Sequence, residues 1–170
     1  MIVSIPDGTE LLVRHIRPDD KALLVDGLAR LSPQSVYRRF LAPKQRFSNG
    51  ELRYLTELDG NDHVALVALP PDDPDHLVAV ARLVRLAGDR QAAEVAIVVG
   101  DDFQGRGLGR LMALRLADEA RERDIRRFEA TILGENEPAR RLMGTMAQRL
   151  DSGAPAGAAV ELSAELPAAA

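Results

Sequence analysis

The chain has 170 residues, of which 46% are hydrophobic and 28% are charged, and its net charge is −4. A chain of this length is ordinarily one domain that buries roughly 70% of the surface exposed by its unfolded form. The acidic balance argues against a nucleic-acid partner, because nucleic-acid-binding proteins carry a basic face or a high isoelectric point. The absence of cysteine excludes disulfides, thiolate metal sites and a cysteine nucleophile.

The sequence shows no targeting or membrane signal. Its N-terminus has neither a basic segment nor a long apolar stretch, and nowhere do about 18 apolar residues run together. These patterns predict a cytoplasmic protein with no membrane partner. The three histidines, His15, His63 and His76, do not have the spacing of metal ligands, so no metal site is expected.

The N-terminal half alternates short apolar runs with helix-start signals. Strands are predicted where apolar runs are bounded by turn residues, at residues 11–16, 63–69, 77–86 and 92–99. Helices are predicted where a proline or a serine-initiated capping box begins a segment, at residues 19–31, 33–41 and 49–58.

The C-terminal half predicts a local strand, helix, strand, helix order. Leu108, Met112, Leu116 and Ala120 recur every four residues, which is typical of an amphipathic helix. Further elements are predicted as a strand at 127–133, a helix from 136 to about 150 and a strand at 158–162. We expect a single domain over residues 1–166, followed by a frayed tail at residues 167–170.

The segment Gln104-Gly105-Arg106-Gly107-Leu108-Gly109 directly follows a predicted strand and begins a predicted helix. Glycines let the backbone approach a ligand, and a helix N-terminus adds positive potential, so this loop is suited to hold a phosphate. The glycine spacing is not the G-x-G-x-x-G of dinucleotide folds, and no Gly-Lys-Ser/Thr follows.

The loop resembles the pyrophosphate loop of the GNAT superfamily of N-acetyltransferases. The family pattern, Gln/Arg-x-x-Gly-x-Gly/Ala, is matched by Gln104, Gly107 and Gly109. The context also matches, with a strand before the loop, an amphipathic helix after it, and Asn136 opening the next helix. The resemblance covers residues 77 to 150 and implies acetyl-CoA as co-substrate, without a metal.

The resemblance also implies a fold. A GNAT domain is an α/β structure with a mixed, mostly antiparallel sheet, here expected to have six to seven strands and four to five helices. Its central parallel strands, the one ending at Val99 and the one beginning at Arg127, are expected to splay apart so that acetyl-CoA enters between them.

The same resemblance implies which residues hold the cofactor. The amides of the loop should bind the pyrophosphate, the backbone of Val98 and Val99 should pair with pantetheine, and the Val99 amide should donate to the thioester oxygen. The candidates for cofactor binding are Val98, Val99, Gln104, Gly105, Arg106, Gly107, Leu108, Gly109, Arg110, Asn136 and Arg140.

Glu94 is the candidate catalytic base, because it lies on the strand before the loop, near the position of the family's catalytic glutamate. Two positions depart from the family. Met143 replaces the tyrosine that often protonates the departing thiolate, so no general acid is named. Met146-Ala147-Gln148 replaces the common Leu-Gly-Phe segment.

Residues 16–20 and 31–40 resemble a narrower group, the bacterial GNAT protein lysine acetyltransferases. This likeness implies direct attack of a protein lysine on acetyl-CoA, with the lysine as the amine acceptor. Two alternatives stay open. One is an acetyltransferase for a small amine or amino acid, and the other is a degenerate domain that binds acyl-CoA as a sensor. A monomer and a homodimer are both compatible with the sequence.

Overall fold

One mixed sheet of eight strands organises residues 1–168, the part of the chain that the computed structural model describes. The strand order is β1-β2-β3-β4-β5-β6-β8-β7, and all neighbours are antiparallel except β5 and β6. The strands are β1 (Ile2–Ser4), β2 (Glu10–His15), β3 (His63–Leu69), β4 (Ala79–Leu86), β5 (Asp89–Val99), β6 (Arg127–Leu133), β7 (Arg149–Ser152) and β8 (Ala159–Glu165).

Five α-helices flank the sheet within the same residues: α1 (Lys21–Arg30), α2 (Pro33–Phe40), α3 (Asn49–Thr56), α4 (Leu108–Glu122) and α5 (Glu137–Met146). Short 3₁₀ helices precede α1 and α4. The predicted start signals are present: Ser32 caps α2, and Ser48 forms a capping box with Glu51 at α3. These caps satisfy N–H groups that have no partner inside the helix.

The helices divide between the two faces of the sheet. The main core includes α4 and α5, with Leu108, Met112 and Leu116 fully buried beside Phe128 of β6. On the opposite face, α1 and α3 contribute to a smaller cluster that includes Val67. The helices α1 to α3 thus form a roof over β3, β4 and β5, and we use the term roof for these three helices below.

The sequence-based elements agree with the structure in type, with two omissions. The strands predicted at 63–69 and 127–133 have those bounds, whereas β1 and β7 were not predicted. The last helix was expected to reach residue 150, but it ends at Met146 because Ala147 has an extended backbone, and β7 follows. The α/β class with a mixed, mostly antiparallel sheet is as expected, with eight strands rather than six or seven. Pro167 and Ala168 lie beyond the last strand, and residues 169–170 are outside the described part of the chain.

The sheet opens between β5 and β6. Their parallel register contains Ala92 with Arg127, Ala93 with Phe128 and Glu94 with Glu129, and it continues no further. Beyond Glu94, β5 remains paired with β4 as far as Val99. The second half of β5 therefore has a free edge on the side of β6.

Residues 1–168 contain neither a membrane-spanning helix nor a cluster of metal-binding side chains. No helix in this range is long and apolar enough to cross a membrane. No group of three or more histidine, aspartate or glutamate side chains in this range is placed to hold a metal ion.

Candidate active site

A cleft of about 480 Å³ occupies the gap between the splayed strands. One wall is the free edge of β5, from Val95 to Val99, and the other includes Ala130 to Ile132 of β6. The loop from Gln104 and the start of α5 form its ends. A cavity of this size is typical of small-molecule and cofactor sites.

Two hydrogen bonds fix which amides of β5 face this cleft. The Gln91 carbonyl accepts from Arg126 N, toward β6, and Gly100 N donates to Val78, on the side of β4. Because alternate residues of a strand direct their backbone groups to opposite sides, Ile97 and Val99 face the cleft and Val98 faces β4. The backbone groups available to a ligand are thus those of Ile97 and Val99. This corrects the expectation for Val98, which lines the cleft without offering its amide.

Gln104 has a different role from a direct phosphate ligand. Its Nε2 donates to the Val99 carbonyl at 3.0 Å and lies 3.1 Å from Ser35 Oγ. The side chain therefore ties the roof to the end of β5. It also satisfies the Val99 carbonyl, which leaves the amide of the same residue as the free group at this edge.

The three loop glycines are required for different reasons. Gly105 has φ +72 and open space around the position of a Cβ atom. Gly107 has φ +89, and a Cβ there would lie 2.8 Å from Cδ of Pro6. Gly109 lines the cleft, and a Cβ there would meet Val99 at an ordinary 3.6 Å. All three glycines line the cleft, and Gly107 is in addition needed by the fold, whereas a side chain at Gly109 would meet no such clash.

The cleft is strongly cationic. Its lining includes four arginines and, among residues 1–168, no aspartate or glutamate. The four are Arg38, Arg39, Arg110 and Arg141. None of them forms an ion pair within the described residues. In a chain of net charge −4, such a concentration of unpaired guanidinium groups indicates an anionic ligand.

The side chains of three candidate cofactor residues do not line the cleft, which for the two loop residues leaves their backbone amides as the predicted contacts. Arg106 binds Asp7 at 2.6 Å and Thr9 at 2.7 Å, so its side chain fastens the loop to the β1–β2 turn. The Leu108 side chain is fully buried in the core. Arg140 binds Ser152, whereas its neighbour Arg141 lines the cleft. Neighbouring residues of helix α5 point in different directions, so only one of the two arginines faces the cleft. The sequence alone does not show which one.

Asn136 combines two properties expected of it. Its Oδ1 accepts from Ala139 N at 3.2 Å and caps α5, and the side chain is buried at the wall of the cleft. The amide Nδ2 has no hydrogen-bond partner among the described residues. One side chain can therefore cap the helix and still offer a donor to a ligand.

Glu94 lies on the roof-side face of β5, next to the splay. It is exposed, and it pairs across the strands with Val84 and Glu129. It does not line the cleft itself, but its charge acts on Arg39, which does. Glu94 is thus accessible to solvent at the point where β5 and β6 separate.

The two methionines of α5 that differ from the family pattern are packed as apolar side chains. Met143 and Met146 are buried and both line the cleft. Met143 therefore occupies the wall where a tyrosine hydroxyl would be placed, and it has no proton to give. The proton donor of the family pattern is absent from this position.

Comparisons with known proteins identify the family. The model of the GNAT acetyltransferase family matches residues 32–146. The chain belongs to the GNAT family. An acetyltransferase of Pseudomonas aeruginosa is 30% identical over 152 residues, which are 87% of this chain and 81% of that protein. Acetyltransferase Pat of Mycolicibacterium smegmatis is 34% identical over 145 residues.

The match to the Mycolicibacterium protein covers 83% of this GNAT chain but 42% of the relative, so the chain spans less than half of that protein. Among solved structures, the GNAT domain of S. lividans PAT superposes with a TM-score of 0.87 and 32% identity. That alignment covers 98% of this chain and 96% of the other. The likeness therefore extends over nearly the whole fold.

Sequence reasoning missed several residues of the site. Ile97, Arg38 and Arg141 were not candidates, although each contributes to the cleft. The backbone direction of Ile97 follows from the register of β5 with its partner strand, and that register is not known from the sequence alone. For the arginines, adjacent pairs gave no indication of which member faces a ligand.

Proposed function

We propose that this GNAT domain transfers the acetyl group of acetyl-CoA to the side-chain amine of a protein lysine. The observation that carries the cofactor assignment is the cleft between β5 and β6. It combines two free strand amides, a glycine loop at a helix N-terminus and four unpaired arginines without an acidic residue among residues 1–168. A ligand with an extended amide-containing arm and several phosphates complements all three features.

The residues present fit acetyl-CoA in detail. The amides of Ile97 and Val99 can pair with the pantetheine arm as an added strand, and Asn136 Nδ2 can donate beside them. The amides before α4 and the guanidinium of Arg110 suit the pyrophosphate. Gly109 leaves the space that this group needs.

Acetyl-CoA supplies, when bound, an acyl group that is activated as a thioester. The Val99 amide lies at the end of the free edge, where a donor can stabilise the developing oxyanion. Glu94 can accept the proton of the attacking amine. This step matters because a lysine amine with a pKa of about 10.4 is neutral in about one molecule in 2,500 at pH 7.

The open face of the sheet supports a large, cationic acceptor. Beyond β5, α2 reaches β6, and Thr131, Glu161 and Glu165 of β6 and β8 are exposed on this face. Neither Glu161 nor Glu165 has an ion pair within the described residues. An acidic surface that adjoins Glu94 suits a lysine presented by another protein, in line with the resemblance of residues 16–20 and 31–40 to protein lysine acetyltransferases.

Two measurements test this proposal. Acetyl-CoA at about 100 times its dissociation constant should stabilise the protein by roughly 2.7 kcal/mol, seen as a rise in Tm. Mass spectrometry of candidate protein substrates and lysine peptides, with small amines in parallel, should then show acetyl-lysine. No thermal shift with millimolar acetyl-CoA would refute the cofactor assignment. Binding without transfer to any amine would instead favour a sensor domain.

A further inference from the structure

A second cavity, of about 500 Å³, lies between the roof and the sheet. Its walls are largely apolar and include Leu24, Leu28, Phe40, Phe47, Leu55 and Leu77. Val98 and Arg39 line both this cavity and the cofactor cleft. We call the region around Arg39, where the two spaces adjoin, the junction.

The Arg39 guanidinium has no polar partner. It forms no hydrogen bond or ion pair with any of residues 1–168, and its Cζ lies over the ring of Phe40, 4.9 Å from the ring centroid. Burial lowers its pKa, which the charge of Glu94 partly restores. Arg39 is half-buried, and because desolvating a cation without a hydrogen-bonded partner costs free energy, it is a candidate for binding an anionic ligand.

Arg82 adds a second guanidinium to the same cavity. Its side chain is buried, with hydrogen bonds to the Leu55 carbonyl at 2.8 Å and to His63, but no carboxylate of the described residues pairs with it. Burial and the charge of Arg39 lower its pKa to about 10. Arg39 and Arg82 thus line one cavity, and the positive charge of Arg39 disfavours that of Arg82.

The charges at the junction leave one positive charge uncompensated. The charge of Glu94 acts on Arg39, no carboxylate of the described residues pairs with Arg82, and His63 is neutral because its pKa is lowered to about 4, mainly by burial and then by Arg82. The acidic residues of the cavity follow β5 or lie on the β3–β4 loop. Asp101 and Asp102, which follow β5, line the same cavity, but neither forms an ion pair with Arg39 or Arg82 within the described residues. Asp101 is also bound by Ser32 and Ser35.

We infer that Arg39 and Arg82 form a subsite for one carboxylate carried by a substrate, at the junction of the cofactor cleft and the apolar cavity. The inference rests on the proposed acetyl-CoA cleft for its role in catalysis. Two sources share this chemistry. The carboxylate can end the acyl group of the donor, as in succinyl-CoA, or stand beside the amine of an amino-acid acceptor with an apolar side chain.

The reaction balances in the same way for both sources. The amine nitrogen forms the new C–N bond, the C–S bond of the thioester breaks, Glu94 takes the amine proton and the thiolate keeps the electron pair. The carboxylate itself does not react. Its role is to hold the acyl group or the acceptor by two guanidinium groups, which favour planar, bidentate anions.

Matched ligand pairs distinguish the two sources. In the donor arm, dissociation constants are measured for succinyl-CoA and for pentanoyl-CoA, its uncharged counterpart of similar length. In the acceptor arm, which needs no CoA, thermal shifts are measured with leucine and with 3-methylbutylamine, the same molecule without its carboxylate. We expect the charged member of one pair to bind more tightly by roughly 10-fold to 100-fold.

Arg39→Met provides the decisive variant and Arg53→Met, an exposed arginine of α3 outside both cavities, the control. Arg39→Met should erase the preference for the carboxylate and leave Tm unchanged or raised, because the native guanidinium has no partner to lose. Arg39→Lys should restore part of the preference. Arg53→Met should behave as wild type.

The outcomes separate this inference from the proposed function. If the wild type binds the charged and uncharged members of both pairs equally, the subsite is refuted. A preference for the carboxylate that survives in Arg39→Met would also refute it. Neither result would contradict the binding of acetyl-CoA to the wild-type protein. Conversely, absence of any CoA binding would refute the proposed function, while the leucine pair would still decide the subsite.

Discussion

Nη1 of Arg82 lies 2.6 Å from Nε2 of His63, under helix α3. Because a guanidinium can only donate, Nε2 is the acceptor and the imidazole ring is neutral. The pKa of His63 is lowered to about 4 by burial and by the neighbouring Arg82 charge. Protonation of this ring would both break the hydrogen bond and place two cations in contact.

The first prediction concerns stability against pH. Unfolded His63 takes up its proton near pH 6.5 and the folded ring only near 4, so stability should fall as the pH is lowered through this window. Below pH 4 both states are protonated and this contribution is constant. Melting temperatures from pH 4 to 8 should show a flatter profile for His63→Gln than for wild type. His76→Gln is the control, and an unchanged slope in His63→Gln would contradict the assignment.

The second prediction separates the two glycines at the start of α4. Gly107→Ala forces a side chain into a positive φ and against Pro6, so it should destabilise the fold by about 1 to 3 kcal/mol. Gly109→Val projects into the cleft instead and should weaken acetyl-CoA binding while Tm stays near wild type. Urea unfolding and calorimetric titration measure the two effects. Wild-type affinity in Gly109→Val would mean that the loop is only a turn.

The third prediction tests Glu94 as the base. Glu94→Gln keeps the shape of the side chain but cannot accept a proton, so turnover should fall by roughly 100-fold to 10,000-fold with little change in acetyl-CoA affinity. Raising the pH should recover part of the rate. Glu129→Gln, its partner across the parallel strands, should stay close to wild type. Equal rates for wild type and Glu94→Gln from pH 6 to 9 would exclude this role.

The fourth prediction divides the two functions of Asn136. Asn136→Ala removes the helix cap and should cost about 0.5 to 2 kcal/mol of stability, together with cofactor affinity. Asn136→Asp keeps an oxygen for the Ala139 amide but loses the Nδ2 donors, so it should retain Tm and lose affinity for acetyl-CoA. If Asn136→Asp binds acetyl-CoA as well as wild type, Asn136 is only a cap.

Local signals in the sequence were sufficient for most elements. Ser32 and Ser48 cap the helices that they were expected to start, and the four-residue repeat from Leu108 gives the buried face of α4. The strand β7 was missed because its residues, Arg149–Ser152, lack an apolar pattern and depend on pairing with β8. Such pairing is a long-range property that a local pattern does not contain.

The candidate site was predictable at the level of its loop and less so at the level of side chains. The pattern around Gln104 located the cleft, but which of Val98 and Val99 offers its amide depends on the register with β4. The partner of Arg106, Asp7, is 99 positions away in sequence. Arg39 carried no signal at all, since its distinguishing property is an environment created by the roof.

Because the β5–β6 ladder ends early, backbone amides in the middle of the sheet are open to solvent. Amide protons of Ile97 and Val99 lie near the centre of the molecule, yet they face the cleft and should exchange with solvent deuterium as fast as those of an edge strand. A bound pantetheine arm would complete the missing stretch of ladder. The cofactor would then be a structural component as well as a reactant. Without it, the two halves of the sheet are joined only by the short parallel ladder between β5 and β6.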